Sequence, residues 1–462
     1  MDQLVSSSLA EYDPHYDPLV SKGPGRNRNY APTYWIATAG SPPEDDGAIV
    51  QDTDVDVAIV GSGFTGLACA IFLAQEFGIK ATVLEANRVA WGCSTRNGGQ
   101  GQNASGRLSR SQWIARWGVD VARRLHAEIS DGFATFGHLV KNLPIDCEPQ
   151  FGGHLYIAHR YRNLAAIAAE SKVLNDVFNY PTRVLSREEV RRNYVDDAEC
   201  VGAVHEPDGI GVQPAKLAFG YLKMARALGA RVHPSSPVQD ITYRSGSFFL
   251  RTPGGTVRAR AVAIATGAYT SLGLTPELTG RCMPILSNSI VTRPLTAAEI
   301  AATNFKTHQF ITDTRTLRFY YRLLPDNRVQ IGSRSAITGA DATNGKHLDL
   351  LIEGLHRKFP ALKNITIDYS WWGWVDISHD MMPRIFRPSE KNLFYALGYG
   401  GNGVSYSAQA GRRMAQMIAG VGFAGQDLPI FTSPLPTHPF SPFRRIGQRM
   451  LYHWYHHRDE AR

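Results

Sequence analysis

The pattern of apolar and polar residues predicts a chain in which buried strands are separated by amphipathic helices. The short β-branched, apolar run at 58–60 is typical of a parallel strand that is covered on both faces. A helical pattern follows it, and the apolar run at 81–84 indicates a second strand. Apolar residues recur at helical spacing in four further segments, 112–140, 164–174, 214–228 and 348–359. This alternation predicts an α/β protein.

A stretch in the second half of the chain has a different pattern, with short strands and few helices. Four segments look like antiparallel strands: 289–292, 310–312, 317–323 and 329–332. Residues 323–328 form the clearest hairpin turn among them, and 365–374 predicts a strand with an aromatic end. We therefore expect a separate antiparallel sheet in this part of the chain.

The turn after the first strand carries Gly61, Gly63 and Gly66 in G-x-G-x-x-G spacing. Gly61 would make the tight turn, Gly63 would let the backbone approach a pyrophosphate, and Gly66 would let the helix lie close to the strand. The second strand ends in Glu85, about 20 residues after the last glycine, where this fingerprint places an acid for the ribose hydroxyls. The alternative for Glu85 is a solvated carboxylate. Together these residues predict dinucleotide binding at a helix N-terminus.

Three later segments are candidates for contact with the same dinucleotide. The polar loop 91–103 follows the second strand and supplies Ser94, Arg96 and Asn97 for phosphate or ring contacts, with a plain surface loop as the alternative. The apolar strand at 257–265 ends in Thr266 and Gly267. A strand at 392–397 then meets a glycine cluster and a helix N-terminus, whose dipole would stabilise negative charge in a reduced flavin. For the turns at 266–267 and 398–403, the alternative is a turn that serves only packing.

Composition excludes several classes of function. The chain has 462 residues and a net charge of +8, but no Lys/Arg block or motif indicates nucleic-acid binding. Five scattered cysteines without C-x-x-C spacing favour reduced thiols in the cytoplasm and argue against a metal site. No signal peptide or run of 18 apolar residues predicts export or a membrane span. The tail histidines, His453, His456 and His457, indicate an amphipathic terminal helix, with a metal site as the alternative.

Five motifs carry a resemblance to a known family: 96–100 (RNGGQ), 152–155 (GGHL), 320–323 (YYRL) with 326–328 (DNR), 371–384, and 398–404 (GYGGNGV). With them the chain resembles the D-amino-acid-oxidase-like superfamily of FAD-dependent oxidoreductases, and within it the bacterial gamma-glutamylputrescine oxidoreductases. The likeness covers about residues 50–445.

The resemblance implies a discontinuous Rossmann-like FAD-binding domain interleaved with an α+β substrate domain that has an antiparallel sheet. The FAD-binding domain would comprise 51–106, 205–275 and 376–435, and the substrate domain 107–204 and 276–375. An irregular arm at 1–50 would precede them, and a tail at 436–462 would follow.

FAD is the implied cofactor. Some relatives attach it to a cysteine in a segment that matches 371–380, but this segment contains none, so we expect non-covalent FAD. The residues expected to bind FAD are Gly61, Gly63, Phe64, Thr65, Gly66, Glu85, Ala86, Arg88, Ser94, Thr95, Arg96, Asn97, Gly98, Gly99, Gln100, Val238, Thr266, Gly267, Gly398, Gly400, Gly401, Asn402, Gly403 and Val404.

The implied activity is oxidation of a C–N bond in an amine or amino acid, with a gamma-glutamylated polyamine as the favoured substrate. A hydride would pass to flavin N5, the imine would hydrolyse to an aldehyde or keto acid, and O2 would reoxidise the flavin to give H2O2. Two alternatives stay open: a dehydrogenase that uses another electron acceptor, and a non-catalytic FAD-binding subunit.

The residues expected at the substrate are Tyr320, Tyr321, Arg322 and Trp371. Strand alternation turns Tyr320 and Tyr321 to opposite faces, so at most one of them faces the flavin directly. Either Arg318 or Arg322 would hold a substrate carboxylate in a bidentate contact. Core packing is the alternative for the aromatic residues, and an exposed strand position is the alternative for the arginines.

Overall fold

The fold is taken from a computed structural model that describes residues 9–389 and 391–460. Its α-helices are α1 (Tyr34–Thr38), α2 (Phe64–Phe77), α3 (Arg110–Lys141), α4 (Tyr161–Phe178), α5 (Arg187–Asn193), α6 (Pro214–Ala227), α7 (Ala297–Thr303), α8 (Lys346–Lys358), α9 (Gly403–Ile418), α10 (Pro429–Thr432) and α11 (Arg444–Glu460). The four helices predicted from apolar spacing are present as α3, α4, α6 and α8.

The strands are β1 (Thr53–Val60), β2 (Thr82–Leu84), β3 (Gln100–Gln102), β4 (Gln150–Phe151), β5 (His154–Ala158), β6 (Arg183–Ser186), β7 (Gly202–Glu206), β8 (Gly209–Gly211), β9 (Arg231–His233), β10 (Asp240–Arg244), β11 (Ser247–Thr252), β12 (Gly255–Ile264), β13 (Met283–Thr292), β14 (Phe310–Asp313), β15 (Tyr320–Leu323), β16 (Val329–Ser333), β17 (Ile367–Ile377), β18 (Arg384–Phe386) and β19 (Leu393–Leu397). They form two eight-stranded sheets and one small sheet of β3, β8 and β4.

The first sheet has a parallel centre, as the apolar runs predict. β1 pairs in parallel with β2 on one side and with β12 on the other, and β12 also pairs in parallel with β19. The carboxyl ends of these strands therefore lie at one edge, where ligands of open α/β sheets bind. Helices α2, α6 and α9 pack on this sheet in the largest apolar core of the protein.

The second sheet has the strand order β17-β13-β16-β15-β14-β5-β7-β6 and is mostly antiparallel. The predicted strand at 317–323 is shorter in the structure and begins only at Tyr320. One face of the sheet carries an apolar core that includes Ile311, Tyr321 and Ile331. The opposite face, which carries Tyr320, is left for the cavity described below.

Two of the expected domain boundaries fall inside strands of the second sheet. The boundary at 205 falls inside β7, and the boundary at 376 falls inside β17, and both strands belong to the second sheet. A division after Glu206 and after Ile377 follows the sheets instead. Each of the two large sheets is then built from strands of one expected domain, while the small sheet joins β4 of the substrate domain to β3 and β8 of the FAD-binding domain.

The N-terminal arm is mostly irregular and packs on the body, as its aromatic residues indicate. Tyr30 donates a hydrogen bond from its hydroxyl to the Val89 carbonyl, and Trp35 donates from its indole to the Asn97 carbonyl. Residues 1–8 of the arm lie outside the described part of the chain.

A buried cluster of charges lies on the apolar side of the second sheet. The Lys358 ammonium is fully buried and lies 3.3 Å from Asp197, 3.2 Å from Glu199 and 3.3 Å from Asp313. Burial alone would lower the pKa of Lys358, but the three carboxylates outweigh it and raise the pKa above its ordinary value. Removal of this ammonium would leave buried carboxylates with less positive charge.

We expect Lys358→Met to lower the free energy of unfolding by about 3–5 kcal/mol, because it breaks a buried ionic cluster. Urea unfolding followed by circular dichroism measures this loss. Lys172→Met is the matched control, since Lys172 pairs with Asp176 on the surface and its side chain is 78% exposed. An unfolding midpoint that stays the same in Lys358→Met would show that the cluster does not stabilise the fold.

Candidate functional site

One large cavity lies between the carboxyl edge of the first sheet and the polar face of the second. Its wall includes Gly61 and Gly63 from the early turn, Gly401 and Gly403 from the late cluster, and Tyr320 from β15. Segments that are far apart in the sequence therefore line the same space.

The early glycine turn has the close contacts that its spacing predicts. Gly61 has φ +101°, and a Cβ there would lie 2.7 Å from the Ala265 carbonyl oxygen. A Cβ on Gly66 would lie 1.9 Å from the Gly61 carbonyl oxygen, so only glycine lets α2 begin this close to the turn. Gly63 is the N-cap of α2 and lines the cavity. The backbone at this helix N-terminus fits the diphosphate of a dinucleotide.

Glu85 also lies in the cavity wall, at the end of β2. Its carboxylate accepts hydrogen bonds from the Ser62 backbone N–H at 3.1 Å, the Ser62 hydroxyl at 2.8 Å and the Asn87 N–H at 3.1 Å. Burial raises its pKa above the ordinary value. These contacts argue against a merely solvated carboxylate and fix the acid beside the glycine turn.

The late glycine cluster lies against the early one. The Thr65 hydroxyl in the first turn of α2 lies 2.9 Å from the Tyr399 hydroxyl. A Cβ on Gly411 of α9 would lie 2.6 Å from the Cys69 backbone nitrogen of α2, so the two helices pack at very close range. The Asn402 side chain donates to the Gly106 carbonyl and accepts from the Gln102 amide. The N-termini of α2 and α9 thus open on the same cavity.

The polar side chains of the loop after β2 form hydrogen bonds with neighbouring backbone groups, mostly within the loop. The Ser94 hydroxyl accepts from the Phe64 N–H at 3.0 Å, and the Asn97 amide donates to the carbonyls of Cys93 and Ser94. The Arg96 guanidinium lies 4.3 Å from the centre of the Trp91 ring and donates to the Trp91 carbonyl. These side chains shape the cavity wall, while their expected phosphate contacts stay predictions.

Most of the residues expected to bind FAD line the cavity: Gly61, Gly63, Phe64, Thr65, Glu85, Ala86, Ser94, Arg96, Asn97, Gly98, Gln100, Val238, Thr266, Gly267, Gly401, Asn402, Gly403 and Val404. Six others lie outside its wall: Gly66, Arg88, Thr95, Gly99, Gly398 and Gly400.

Local structure explains the position of several of these six. Arg88 lies over the Tyr30 ring of the arm at 5.5 Å, and the Thr95 hydroxyl donates to the Ala90 carbonyl. Gly99 donates its N–H to the Asn97 side chain. Gly398 and Gly400 donate their N–H groups to the carboxylate and the carbonyl of Asp376, respectively. These residues support the wall from behind.

Of the four residues expected at the substrate, Tyr320 alone lines the cavity. Its ring lies between two glycines, since a Cβ on Gly98 would be 2.8 Å from the ring and one on Gly332 would be 2.2 Å from it. Its hydroxyl lies 2.9 Å from the Ser289 hydroxyl and 3.0 Å from the Ser287 hydroxyl. The ring is therefore held in one position on the sheet.

The structure corrects the placement of the other three. Tyr321 points to the apolar face, where its hydroxyl donates to Asp197. Arg322 is 1% exposed and donates to the Gln150 side chain and the Val212 carbonyl. Burial lowers the pKa of Arg322 to about 10. The Trp371 indole donates to the Arg96 carbonyl, 2.8 Å away, within a separate apolar cluster. These three side chains therefore bind other parts of the protein and lie outside the cavity wall.

The sequence analysis missed several residues of the cavity wall: Arg107, Thr312, Arg334, Trp374, Asp376 and Tyr399. Gly332 pairs with Tyr320, and Arg334 lies two positions further along the chain. Strand alternation places Arg334 on the same face as Gly332, and this was the signal in the sequence that could have identified it. No comparable pattern marks Arg107, which enters the cavity from the segment before α3.

Within residues 9–389 and 391–460, no group of three His, Cys, Asp or Glu residues is arranged to hold a metal ion. The tail histidines lie on α11. A helix long and apolar enough to cross a membrane is likewise absent from the part of the chain described.

We expect Gly63→Val to fold but to lose bound FAD, because a side chain at this position would occupy the turn that approaches the diphosphate. The added Cβ would meet only the Ser94 hydroxyl, at 3.0 Å, so the fold itself is spared. Flavin absorbance per protein after gel filtration measures retention, and circular dichroism checks folding. Gly345→Val is the control, since a Cβ there has no neighbour within 4 Å. A folded Gly63→Val protein with full flavin content would refute the fingerprint.

Comparisons with known proteins agree with this geometry. The chain is 31% identical to the gamma-glutamylputrescine oxidoreductase of Escherichia coli K12 over 418 residues, which are 90% of this chain and 94% of the relative. It is 23% identical to the glycine oxidase of Bacillus subtilis over 374 residues, which are 79% of this chain and 92% of that enzyme.

The fold is similar to the crystal structure of glycine oxidase from Geobacillus kaustophilus. The TM-score is 0.71 at 22% sequence identity, and the superposition covers 84% of this chain and 100% of that one. This likeness confirms the expected fold class.

A family model for FAD-dependent oxidoreductases, named DAO, matches residues 56–417. The matched range contains the early glycine turn, the late glycine cluster and the strands of both large sheets. The glycines and the two helix N-termini at the cavity fit the cofactor that the family name specifies. The chain therefore belongs to the DAO family of FAD-dependent oxidoreductases, and it is an enzyme with FAD as its cofactor.

Proposed function

We propose that this enzyme oxidises a C–N bond in an amine or amino acid that carries a carboxylate group, with a gamma-glutamylated polyamine as the favoured substrate. The imine product would hydrolyse to an aldehyde or keto acid, and O2 would accept the electrons to give H2O2. The observation that carries the proposal is a group of three arginines in the cavity wall, Arg107, Arg318 and Arg334, which we call the arginine wall.

No carboxylate is in ion-pair contact with the arginine wall in the described part of the chain, although the charge of Arg318 acts on the carboxyl group of Glu206. Among residues 9–389 and 391–460, none of the three guanidinium groups forms an ion pair with an Asp or Glu side chain. Burial lowers the pKa of Arg107 well below its ordinary value, and the charges of Arg318 and Arg334 lower it further. Burial also lowers the pKa of Arg334. Three mutually repelling cations beside an open cavity favour an anionic ligand.

The arginine wall lies at the late glycine cluster rather than at the early turn. A Cβ on Gly400 would lie 2.9 Å from Arg107, and one on Gly401 would lie 2.8 Å from Arg334. Arg318 lies 5.6 Å from the centre of the Tyr156 ring on the second sheet. A diphosphate at the N-terminus of α2 would leave these arginines free, so we assign them to the substrate.

The relative from Escherichia coli supports the substrate class. Its name specifies gamma-glutamylputrescine, whose glutamyl group carries a carboxylate and whose polyamine end carries a primary amine. The arginine wall would bind the carboxylate, and the flat Tyr320 ring would contact the alkyl chain. FAD, when bound, supplies the electron acceptor for the oxidation. The protein supplies orientation and charge.

The same proposal assigns a role to each of the two large sheets. The first sheet and its helices would hold FAD, and the second sheet would present the substrate to it. The cytoplasm is the proposed location, because the five cysteines are free.

We expect gamma-glutamylputrescine to bleach the yellow holoenzyme under anaerobic conditions, and we expect H2O2 to appear when air is admitted. Absorbance in the flavin band and a peroxide assay measure the two steps. Bleaching without peroxide would indicate a dehydrogenase that uses another acceptor. A flavin that no member of a panel of amines, polyamine conjugates and N-methyl amino acids reduces would contradict the proposal.

We expect Arg318→Gln to raise the KM for gamma-glutamylputrescine roughly 10- to 100-fold, because a charge-assisted hydrogen bond to the carboxylate is lost. The KM for N-acetylputrescine, which lacks the carboxylate, should change far less. Arg258→Gln is the matched control, because Arg258 is an exposed residue of β12 paired with Asp54. Equal increases for both amines in Arg318→Gln would remove Arg318 from the carboxylate site.

A further inference from the structure

A chain of three polar side chains runs from the cavity wall into the second sheet, formed by Thr312, His154 and Glu206. The Thr312 hydroxyl lies 2.7 Å from His154 Nε2, and His154 Nδ1 lies 2.8 Å from Glu206 Oε2. Thr312 lines the cavity, while His154 and Glu206 lie behind the wall. The proposed binding of FAD and of a carboxylate leaves this chain without a role.

The direction of the hydrogen bonds follows from the charge of Glu206. Burial alone would raise the pKa of Glu206, but the hydrogen bond from His154 and the charges of Arg110 and Arg318 outweigh it and lower the pKa. The carboxylate is therefore ionised at neutral pH and can only accept, so Nδ1 of His154 carries a proton. In the neutral imidazole Nε2 is then an acceptor, and the Thr312 hydroxyl donates to it.

This orientation leaves the lone pairs of the Thr312 oxygen as the acceptor for a group in the cavity. A primary amine is an ammonium at neutral pH, with a pKa near that of lysine, about 10. An ammonium has no lone pair on nitrogen, so it must lose a proton before its C–N bond can be oxidised. A site that accepts this proton would let oxidation proceed at neutral pH.

We propose that the Thr312–His154–Glu206 chain removes this proton from the substrate ammonium, an inference that rests on the proposed amine oxidation. An N–H bond of the ammonium breaks and its proton moves to the Thr312 oxygen, while the hydroxyl proton of Thr312 moves to His154 Nε2. The products are the neutral amine and an imidazolium paired with Glu206. Thr312 is the group that touches the substrate, and His154 and Glu206 are positioning residues that act through it.

The surroundings hold the imidazole in place for this role. His154 is buried and stacks on Phe310 at 5.0 Å and on Tyr156 at 5.8 Å between ring centres. The charged or titratable groups around the chain include Arg110 on α3, His205 on β7, Tyr156 on β5, Tyr180 after α4, and Arg318. The side chain of Glu206 is 26% exposed although it lies outside the cavity wall, so the proton has a way out to solvent.

The test is the pH dependence of flavin reduction by gamma-glutamylputrescine in the anaerobic holoenzyme, measured by stopped flow from about pH 6 to about pH 10. We expect His154→Gln and Thr312→Val to slow reduction roughly 100-fold at about pH 7. The defect should shrink about tenfold per pH unit as the free amine becomes available in solution. Thr312→Ser should recover most of the rate that Thr312→Val loses.

His453→Gln, the same substitution on the exposed face of α11, is the control and should leave the whole profile unchanged. A rate that falls by the same factor at every pH in His154→Gln and Thr312→Val would show a structural role and overturn the proposal. So would failure of Thr312→Ser to recover the rate.

A second measurement separates failure of this proposal from failure of the proposed function. In protein labelled with ¹⁵N-histidine, the resonances lost in His154→Gln identify His154, and their shifts report which ring nitrogen carries the proton. We expect a proton on Nδ1 in the absence of any substrate, and we expect Glu206→Gln to weaken that preference. A neutral His154 protonated at Nε2 would contradict the chain, whether or not any amine reduces the flavin.

Discussion

The close packing of α2 against α9 is the constraint on which the rest of the structure depends. Gly66 lets α2 start against the Gly61 carbonyl, and Gly411 lets α9 lie against the backbone of α2. The hydroxyls of Thr65 and Tyr399, 334 positions apart in the sequence, then meet at 2.9 Å. A larger residue at either glycine would separate the two helix N-termini, so one cavity at the sheet edge follows from these contacts.

The chemistry of the opposite wall comes from strand alternation in the second sheet. Alternate residues along these strands point to one face and form an apolar core around Tyr321 and Ile331. The buried Lys358 cluster lies on the same face and contacts the Tyr321 ring. The residues between them point to the opposite face, where Tyr320 and Thr312 line the cavity. The two faces of the second sheet thus have different roles, since one face packs in the core and the other lines the cavity. In the proposed function, FAD and the substrate meet between the backbone N–H groups of the glycine turns and the polar side chains of this sheet.

Much of this could be predicted from the sequence, since strand, turn and helix signals are local. The G-x-G-x-x-G turn, the acid Glu85 and the late glycine cluster were found because each has its own spacing. The substrate side was predicted less well, because it depends on which tertiary partner satisfies each side chain. Arg322 shares a face with Tyr320, yet Gln150 and the Val212 carbonyl bind its guanidinium, while Arg107 and Arg334 line the cavity.

The crystal structure of the purified holoenzyme with gamma-glutamylputrescine bound anaerobically tests the central claim most directly. We expect the diphosphate of FAD at the N-terminus of α2 beside Gly63, the flavin ring between the late glycine cluster and Tyr320, and the substrate carboxylate on Arg318 or its neighbours. Diphosphate density on Arg107, Arg318 and Arg334, or a flavin bound away from either glycine turn, would contradict it.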